Sequence, residues 1–201
     1  MSTSNKIEIL PEVTLQDDFL SIEEFKNLEE EVRYFHWEYM NGTSALEDEK
    51  TTKDYQFVHL IYGNHAPKNP SYAHIFPILK KIDPEIQALI RIKANLHPRQ
   101  SKLKEHDWHI DCGVALPGQT TAVLYLNDSD GYTMFESGDK IESKANRFVE
   151  FPSWMNHLGT NCTWAGGLLR TRVILNFNYI KNGAKDTGSY TNGVLSRPAM
   201  P

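Results

Sequence analysis

Apolar residues near the start of the chain recur every three or four positions, as they do along one face of an α-helix. Five of them follow Ser21 at this spacing: Ile22, Phe25, Leu28, Val32 and Phe35. Ser21 and Glu24 also have the spacing of a capping box, in which two side chains bind free amides at a helix start. The pattern therefore predicts a helix over residues 21–35 that packs its apolar face against a sheet.

A second helical pattern covers residues 71–82. Its apolar positions are Ile75, Ile78, Leu79 and Ile82. Pro77 lies within this stretch, and proline lacks the amide that a helix interior requires, so we expect a kink or a division there. Between the two helices, residues 41–53 are polar and contain glycine, which predicts a loop near the start of the sheet.

From residue 91 the period changes to two, since Arg91, Lys93, Asn95 and His97 alternate with Ile92, Ala94 and Leu96. This alternation predicts a strand with one polar and one apolar face. Short apolar runs separated by turn residues continue to residue 179, which is typical of a double-sheet jelly roll. We therefore predict a mainly β protein with flanking N-terminal helices and a double-stranded β-helix core of the jelly-roll, cupin-like type.

Length and composition favour a single domain over residues 1–201, because 201 residues of which 40% are hydrophobic can bury one core. Within it we predict an N-terminal helical scaffold and loop (1–90), the jelly-roll core (91–180) and a polar C-terminal tail (181–201).

Charge and hydropathy argue against two classes of partner. The net charge of −5 gives no broad basic surface, so nucleic acid is not an expected partner. No apolar run approaches the roughly 18 residues of a membrane span, and the first residues lack a signal-peptide core, so we predict a cytoplasmic protein that does not enter membranes. Cys112 and Cys162 are expected to be free thiols. A local basic cluster is predicted to be a solvated face, with guidance of an anionic ligand as the alternative: Lys93, Arg99, Lys102 and Lys104.

The candidate chemistry lies in His109, Asp111 and the more distant His157. If the His109/Asp111 pair lies on a strand, both side chains point to one face, because strand side chains alternate. Two imidazoles and one carboxylate on one side of a metal leave its other positions open, which suits non-haem Fe(II) that must bind further ligands. Asp107 would share that face and is an alternative carboxylate ligand. A His-x-Asp pair also occurs by chance, so its context decides.

That context resembles the Fe(II)- and 2-oxoglutarate-dependent oxygenases, in the branch similar to prolyl hydroxylases. The His-x-Asp pair is followed by a Tyr-Leu-Asn strand, a Gly-x-Thr-x-Phe segment, a strand ending in Phe-Pro, a distal His and an Arg opening the last strand. The matching residues are Tyr125, Leu126, Asn127, Gly131, Thr133, Phe135, Phe151, Pro152, His157 and Arg172. The resemblance covers roughly residues 91–180, implies a single oxygenase domain, and favours Asp111 over Asp107 because the carboxylate follows the histidine.

The resemblance implies a catalytic Fe(II) bound by His109, Asp111 and His157. It also implies 2-oxoglutarate as cosubstrate, O₂ as a partner, succinate and CO₂ as coproducts, and ascorbate as a candidate reductant.

In such enzymes a cation on the last strand binds the far carboxylate of 2-oxoglutarate, and Arg172 is favoured over Arg170 because it begins the clean alternation of that strand. Asn95 and Tyr125 are further candidate cosubstrate-binding residues. Ile174 stands where many relatives have a hydroxyl partner of the arginine.

The implied reaction is hydroxylation of a protein side chain, with proline as one candidate, or of a small molecule. The sequence does not identify the substrate or the oligomeric state. Two alternatives stay open: a cupin-like metal enzyme that does not use 2-oxoglutarate, and a non-catalytic jelly-roll binding module.

Overall fold

The computed structural model of the chain describes residues 6–8, 12–42, 54–112, 116, 118–167 and 169–181. Within these residues it contains two helices and twelve strands. The helices are α1 (Ile22–Val32) and α2 (Tyr72–Ile82). The strands are β1 (Lys6–Glu8), β2 (Thr14–Gln16), β3 (Glu38–Asn41), β4 (Tyr55–Gly63), β5 (Ala66–Pro67), β6 (Ile86–His97), β7 (Gln119–Tyr125), β8 (Tyr132–Phe135), β9 (Lys140–Glu142), β10 (Arg147–Pro152), β11 (His157–Gly159) and β12 (Arg172–Lys181).

The strands form a large and a small antiparallel sheet. The large sheet has the order β1-β2-β10-β7-β12-β6-β4-β3, with β5 paired to β4, and the small sheet has the order β11-β8-β9. One apolar cluster joins them, because Phe135 of β8 and Ile141 of β9 pack with Val123, Val149 and Ile174 of the large sheet. The small sheet therefore covers part of one face of the large sheet, and the predicted mainly β jelly roll is confirmed.

The two helices cover the opposite face of the large sheet. Leu28 and Val32 of α1 share a buried cluster with Ile75, Ile78 and Leu79 of α2 and with apolar residues of β6, β7 and β12. The predicted capping box is present, since the Ser21 hydroxyl accepts from the Glu24 amide and the Glu24 carboxylate accepts from the Ser21 amide. Ile22, assigned above to the packed face, is instead 77% exposed. Helix α2 continues through Pro77 without division.

The prediction of a helical scaffold before residue 90 is partly wrong. Besides the two helices, this region supplies the nine-residue strand β4, and β6 begins at Ile86 rather than near residue 91. Strand β4 is irregular, with a register shift between Leu60 and Tyr62, so its apolar residues do not alternate cleanly. Residues 43–53 of the predicted loop and 182–201 of the predicted tail lie outside the described residues. Neither described helix has the length and apolar character that a membrane span requires.

Alternation along β6 and β12 positions the site. Ile92 and Ala94 of β6, and Leu175 and Phe177 of β12, point towards the helices and are fully buried. The residues between them point to the other face, towards the small sheet, where they line a polar pocket.

Candidate functional site

The polar pocket lies between the two sheets and combines residues of β4, β6, β7, β8, β11 and β12. Its lining residues are Gln56, Lys93, Asn95, His97, His106, His109, Asp111, Val123, Thr133, His157, Gly159, Arg172, Ile174 and Asn176. Among these lining residues, Lys93, Asn95 and His97 belong to the polar face that alternation predicted for β6. All three predicted metal ligands and two of the three predicted cosubstrate residues, Arg172 and Asn95, are in this set, whereas Tyr125 lies behind it.

His109, Asp111 and His157 meet at one end of the pocket. Each can offer one ligand atom such that the three atoms lie within 4.8 Å of one another. Asp111 and His157 are buried, at 4% and 5% exposure. This group is the one His/Cys/Asp/Glu cluster of ligand-like geometry among the described residues.

The backbone that presents these ligands differs from the expectation. His109 is not in a regular strand but forms an isolated bridge with His157, in which each amide donates to the other's carbonyl at 3.0 Å. This bridge places the two imidazoles side by side, with ring centroids 4.7 Å apart. Asp111 follows in a turn next to Cys112, whose φ is +60°. A tight turn, not strand parity, therefore directs Asp111 into the site.

Asp107, the alternative carboxylate, has an exposed side chain and is not in the ligand cluster. Its backbone carbonyl instead lies 3.0 Å from Nδ1 of His109, and the carbonyl of Met155 lies 3.0 Å from Nδ1 of His157. A carbonyl can only accept, so both imidazoles carry their proton on Nδ1 and leave the Nε2 lone pair for a metal. Backbone carbonyls thus fix the tautomers, as they do in many metal sites.

Three side chains that the sequence reasoning did not assign hold the Asp111 carboxylate. Arg91 donates to Oδ1 at 3.0 Å, and Asn176 and Asn178 donate to Oδ2 at 2.9 and 3.2 Å. Burial alone would raise the pKa of Asp111, but the electrostatic effect of the neighbouring His157 and the positive charge of Arg91 hold it below its usual range. The carboxylate is therefore ionised and fixed in orientation. Inward parity on β6 and β12 was the signal that could have found these partners.

Lys93 also lines the pocket, so its assignment to a solvated basic face is wrong. Burial and the neighbouring charge of Arg91 lower the pKa of its ammonium group to about 8.

The other end of the pocket is formed by Arg172, which is 1% exposed. Its guanidinium donates from Nε to Ser143 Oγ at 2.7 Å, from one terminal nitrogen to the Thr160 carbonyl at 3.2 Å and from the other to Thr133 Oγ1 at 3.3 Å. No carboxylate of the described residues pairs with it. A guanidinium has five N–H groups, so one remains on each terminal nitrogen, which is the fork that binds a carboxylate.

Arg170 is not an equivalent candidate. It lies before β12 at a φ of +50°, its side chain is exposed, and it is not among the residues that line the pocket.

Gly131 makes room for Arg172, because a Cβ there would lie 2.5 Å from both Arg172 Cδ and the Asn161 carbonyl oxygen.

Asn95 lines the middle of the pocket. Its amide donates to Gln56 Oε1 at 2.6 Å, while its Oδ1 is buried without a hydrogen-bond partner among the described residues. Tyr125 is fully buried, donates to Thr133 Oγ1 at 2.8 Å, and has the Arg172 guanidinium 5.6 Å from its ring centroid. Tyr125 therefore contacts the residues that line the pocket and not the pocket itself.

The arrangement combines two functions in one cavity. Two imidazoles and an ionised carboxylate form a three-sided ligand set that suits a divalent iron with open positions. A buried guanidinium at the opposite end has two free donors and no counter-charge among the described residues, so it fits a carboxylate of a bound ligand.

Comparisons with known proteins give no match to any family model or curated sequence. Solved structures do match. A prolyl hydroxylase from Trichoplax adhaerens, in complex with a hypoxia-inducible-factor peptide fragment, has a TM-score of 0.59 at 14% identity, covering 92% of this chain and 87% of its own. A 2OG-Fe(II) oxygenase family oxidoreductase from Burkholderia pseudomallei has a TM-score of 0.58 at 10% identity, covering 87% of each chain. The epimerase SnoN, in complex with Fe³⁺, α-ketoglutarate and nogalamycin RO, has a TM-score of 0.55 at 12% identity, covering 84% of this chain and 78% of its own. These likenesses show a shared jelly-roll fold.

Proposed function

We propose that the protein is a single-domain Fe(II)- and 2-oxoglutarate-dependent dioxygenase that hydroxylates a protein side chain or a small molecule. The observation that carries the proposal is the pairing, in one pocket, of the His109/Asp111/His157 ligand set with the buried guanidinium of Arg172. The first fits the metal and the second fits the far carboxylate of the cosubstrate. The fold shared with a 2OG-Fe(II) oxygenase family member, and with an epimerase solved with Fe³⁺ and α-ketoglutarate, supports it independently.

The metal would be held by Nε2 of His109, Nε2 of His157 and one oxygen of Asp111. Arg91, Asn176 and Asn178 keep the Asp111 carboxylate oriented, and such partners of a ligand usually matter for metal affinity. When bound, Fe(II) would supply the oxidation that converts 2-oxoglutarate and O₂ into succinate and CO₂ while the substrate is hydroxylated.

The cosubstrate would lie between the metal ligands and Arg172, with its far carboxylate on the free guanidinium donors. Thr133 Oγ1 already accepts hydrogen bonds from Tyr125 and Arg172, so its own proton is free to be donated into the pocket. Thr133 thus supplies a hydroxyl that Ile174 lacks. Ile174 and Val123 provide apolar walls for the methylene groups of 2-oxoglutarate. Asn95 extends this wall, whereas Tyr125 acts through Thr133.

The proposed substrate class is broad and includes proteins and small molecules. Among the structural relatives, one was solved with a peptide fragment and another with nogalamycin RO, which supports protein and small-molecule substrates alike, with a prolyl side chain as one candidate. A cytoplasmic location, as predicted from the hydropathy of the sequence, would supply O₂ and 2-oxoglutarate.

The test is succinate formation from 2-oxoglutarate by the purified protein with Fe(II) and ascorbate, against a panel of peptides and metabolites. Turnover is expected with at least one panel member and should be absent in His109→Ala. In parallel, calorimetry under anaerobic conditions should show that 2-oxoglutarate binds the Mn(II)-loaded protein. Metal binding without 2-oxoglutarate binding would contradict the proposal and favour a cupin-like enzyme with other chemistry.

A further inference from the structure

A second cluster of titratable side chains lies at the Arg172 end of the pocket. His97 at the end of β6 and His106 in the following segment are both buried and line the pocket, with ring centroids 4.9 Å apart. Asp54, just before β4, lies next to them, with its Oδ2 3.7 Å from Nε2 of His106. The metal ligands and Arg172 do not account for these groups.

Three buried polar atoms of this cluster have no hydrogen-bond partner among the described residues: Nδ1 of His97, Nε2 of His106 and Oδ2 of Asp54. The other carboxylate oxygen of Asp54 accepts from Gln100 Nε2 at 2.7 Å and from the Tyr55 amide at 2.9 Å, so Asp54 is held in place. Unsatisfied buried groups are costly and call for an explanation. Oδ2 of Asp54, 3.7 Å from Nε2 of His106, is an acceptor without a hydrogen-bond partner beside that nitrogen.

The opposite nitrogen of His106 lies towards Arg172. A Cβ on Gly159 would be 3.7 Å from Nδ1 of His106 and 3.6 Å from a terminal nitrogen of Arg172, so both groups approach the same point beside β11. An anion held by Arg172 would therefore lie close to His106. If both ring nitrogens were protonated, His106 would bridge that anion and Asp54.

We propose that His106 is a second anchor for the far carboxylate of the cosubstrate and takes up a proton when the cosubstrate binds, with Asp54 as the partner of its other nitrogen. The inference rests on the proposed use of 2-oxoglutarate. It adds to that function a proton-linked affinity and two positioning residues, His106 and Asp54.

The charges around His106 explain the direction of the linkage. Without a ligand, burial and the positive charge of Arg172 lower the pKa of His106 to about 4, although Asp54 opposes the shift. His109 and Lys104 on its own segment lower this pKa further, and burial keeps the pKa of the neighbouring His97 well below its usual value. A carboxylate on Arg172 cancels the main positive neighbour and adds a negative one, so the pKa of His106 rises on binding.

Between the two pKa values, binding consumes a proton and affinity rises as the pH falls. If the bound-state pKa returns to about 6.5, the ordinary value for histidine, 2-oxoglutarate should bind about fourfold more tightly at pH 6.0 than at pH 7.5. Lys93, with a pKa of about 8, is mostly protonated throughout this window and adds little.

The experiment is anaerobic calorimetric titration of 2-oxoglutarate into the Mn(II)-saturated protein at pH 6.0 and 7.5, in buffers of different ionisation enthalpy. Wild-type protein should show the fourfold difference and net proton uptake at pH 6.0. His106→Gln should bind with an affinity independent of pH and no proton uptake, and Asp54→Asn should reduce both effects. His74→Gln, at an exposed histidine on α2, should behave as wild type.

Thermal unfolding of each variant checks its fold, and Asp54→Asn provides the readout if His106→Gln does not fold. A pH-independent wild-type affinity, or the same pH dependence in both His106→Gln and wild type, would overturn the inference while leaving the proposed function in place. Absence of 2-oxoglutarate binding at both pH values would overturn the two together.

Discussion

Arg172 and Asp111 are both buried charges, but their hydrogen-bond partners differ in charge. Asp111 has three donors, one of which is the cationic Arg91, so its charge is compensated within the described structure. Within the part of the chain that the structure describes, Arg172 has only neutral acceptors. Because an uncompensated buried charge costs several kcal/mol, its retention is best explained by a ligand that brings the opposite charge.

Removing the guanidinium should therefore weaken cosubstrate binding. Breaking a buried ion pair costs about 3–5 kcal/mol, which corresponds to a loss of at least about a hundredfold in affinity. Arg172→Ala should show this loss in calorimetric titration of 2-oxoglutarate into the Mn(II) protein, with metal content unchanged. The exposed Arg170 provides the matched control, and Arg170→Ala should change the affinity little. Small, equal effects from both variants would favour an enzyme that does not use 2-oxoglutarate.

Substitutions of the two aspartates in the metal region should differ in their effect on metal affinity. Asp111→Ala should weaken Mn(II) binding by more than the roughly 10- to 100-fold that loss of a ligand's hydrogen-bond partner costs. Asp107→Ala should leave most of the affinity, because its contact with His109 is through a backbone carbonyl that the substitution keeps. Metal titration of both variants measures the difference. A larger loss in Asp107→Ala would move the carboxylate ligand to position 107.

At the scale of elements, β6 and β12 connect the core to the site. They pair through the register Arg172↔His97, Ile174↔Asn95 and Asn176↔Lys93, so alternate residues of both strands form one continuous polar face. The same strands bury Ile92 and Phe177 against the helices. Rigid strands with a packed rear face hold such a site more accurately than loops do.

The segment between β7 and β8 must leave room for Arg172. In Gly131→Ala the added methyl would collide with the Arg172 side chain and with the Asn161 carbonyl, and the backbone carbonyl cannot swing aside as a flexible side chain would. We expect a lower melting temperature and weaker 2-oxoglutarate binding, with Mn(II) binding retained. In Gly166→Ala the nearest atoms would be 3.8 Å away, so this control should resemble wild type. Equal melting temperatures and affinities for the two variants would contradict the steric argument.

At the scale of the whole molecule, the site joins the two sheets. The contacts of Arg172 with Ser143, Thr160 and Thr133 connect β12 of the large sheet to the small sheet and its loops. The bridge between His109 and His157 connects the segment after β6 to β11. Ligands that compensate the charges of this site should therefore stabilise the fold as a whole.

Metal and cosubstrate together should raise the melting temperature. A ligand at a hundred times its dissociation constant stabilises the folded state by about 2.7 kcal/mol, which for a chain of this size corresponds to about 5–10 °C. Thermal unfolding with Mn(II) and 2-oxoglutarate should show this shift beyond the effect of Mn(II) alone. The added shift should disappear in Arg172→Ala, and its persistence there would contradict the assigned anchor.

Much of the architecture was predictable because it depends on local periodicity. Helix α1 follows from the spacing of Leu28 and Val32 and from the Ser21/Glu24 capping box, and the polar face of β6 follows from strict alternation. The order of motifs also predicted His109, Asp111 and His157 as a set, and the structure brings them together. These features are properties of residues close in sequence, or of spacings that a family resemblance makes recognisable.

The tertiary structure decided the rest, because those features depend on pairs distant in sequence. Strand β4 is defined by its pairing with β6 and not by its own irregular pattern. Three contacts join segments whose separations in sequence follow no local period. They are the bridge between His109 and His157, the hydrogen bond from Arg91 to Asp111 and the close approach of Asp54 to His106. The sequence by itself determined which residue types were present for the chemistry, whereas long-range packing decided which buried charges are compensated and which are left for ligands.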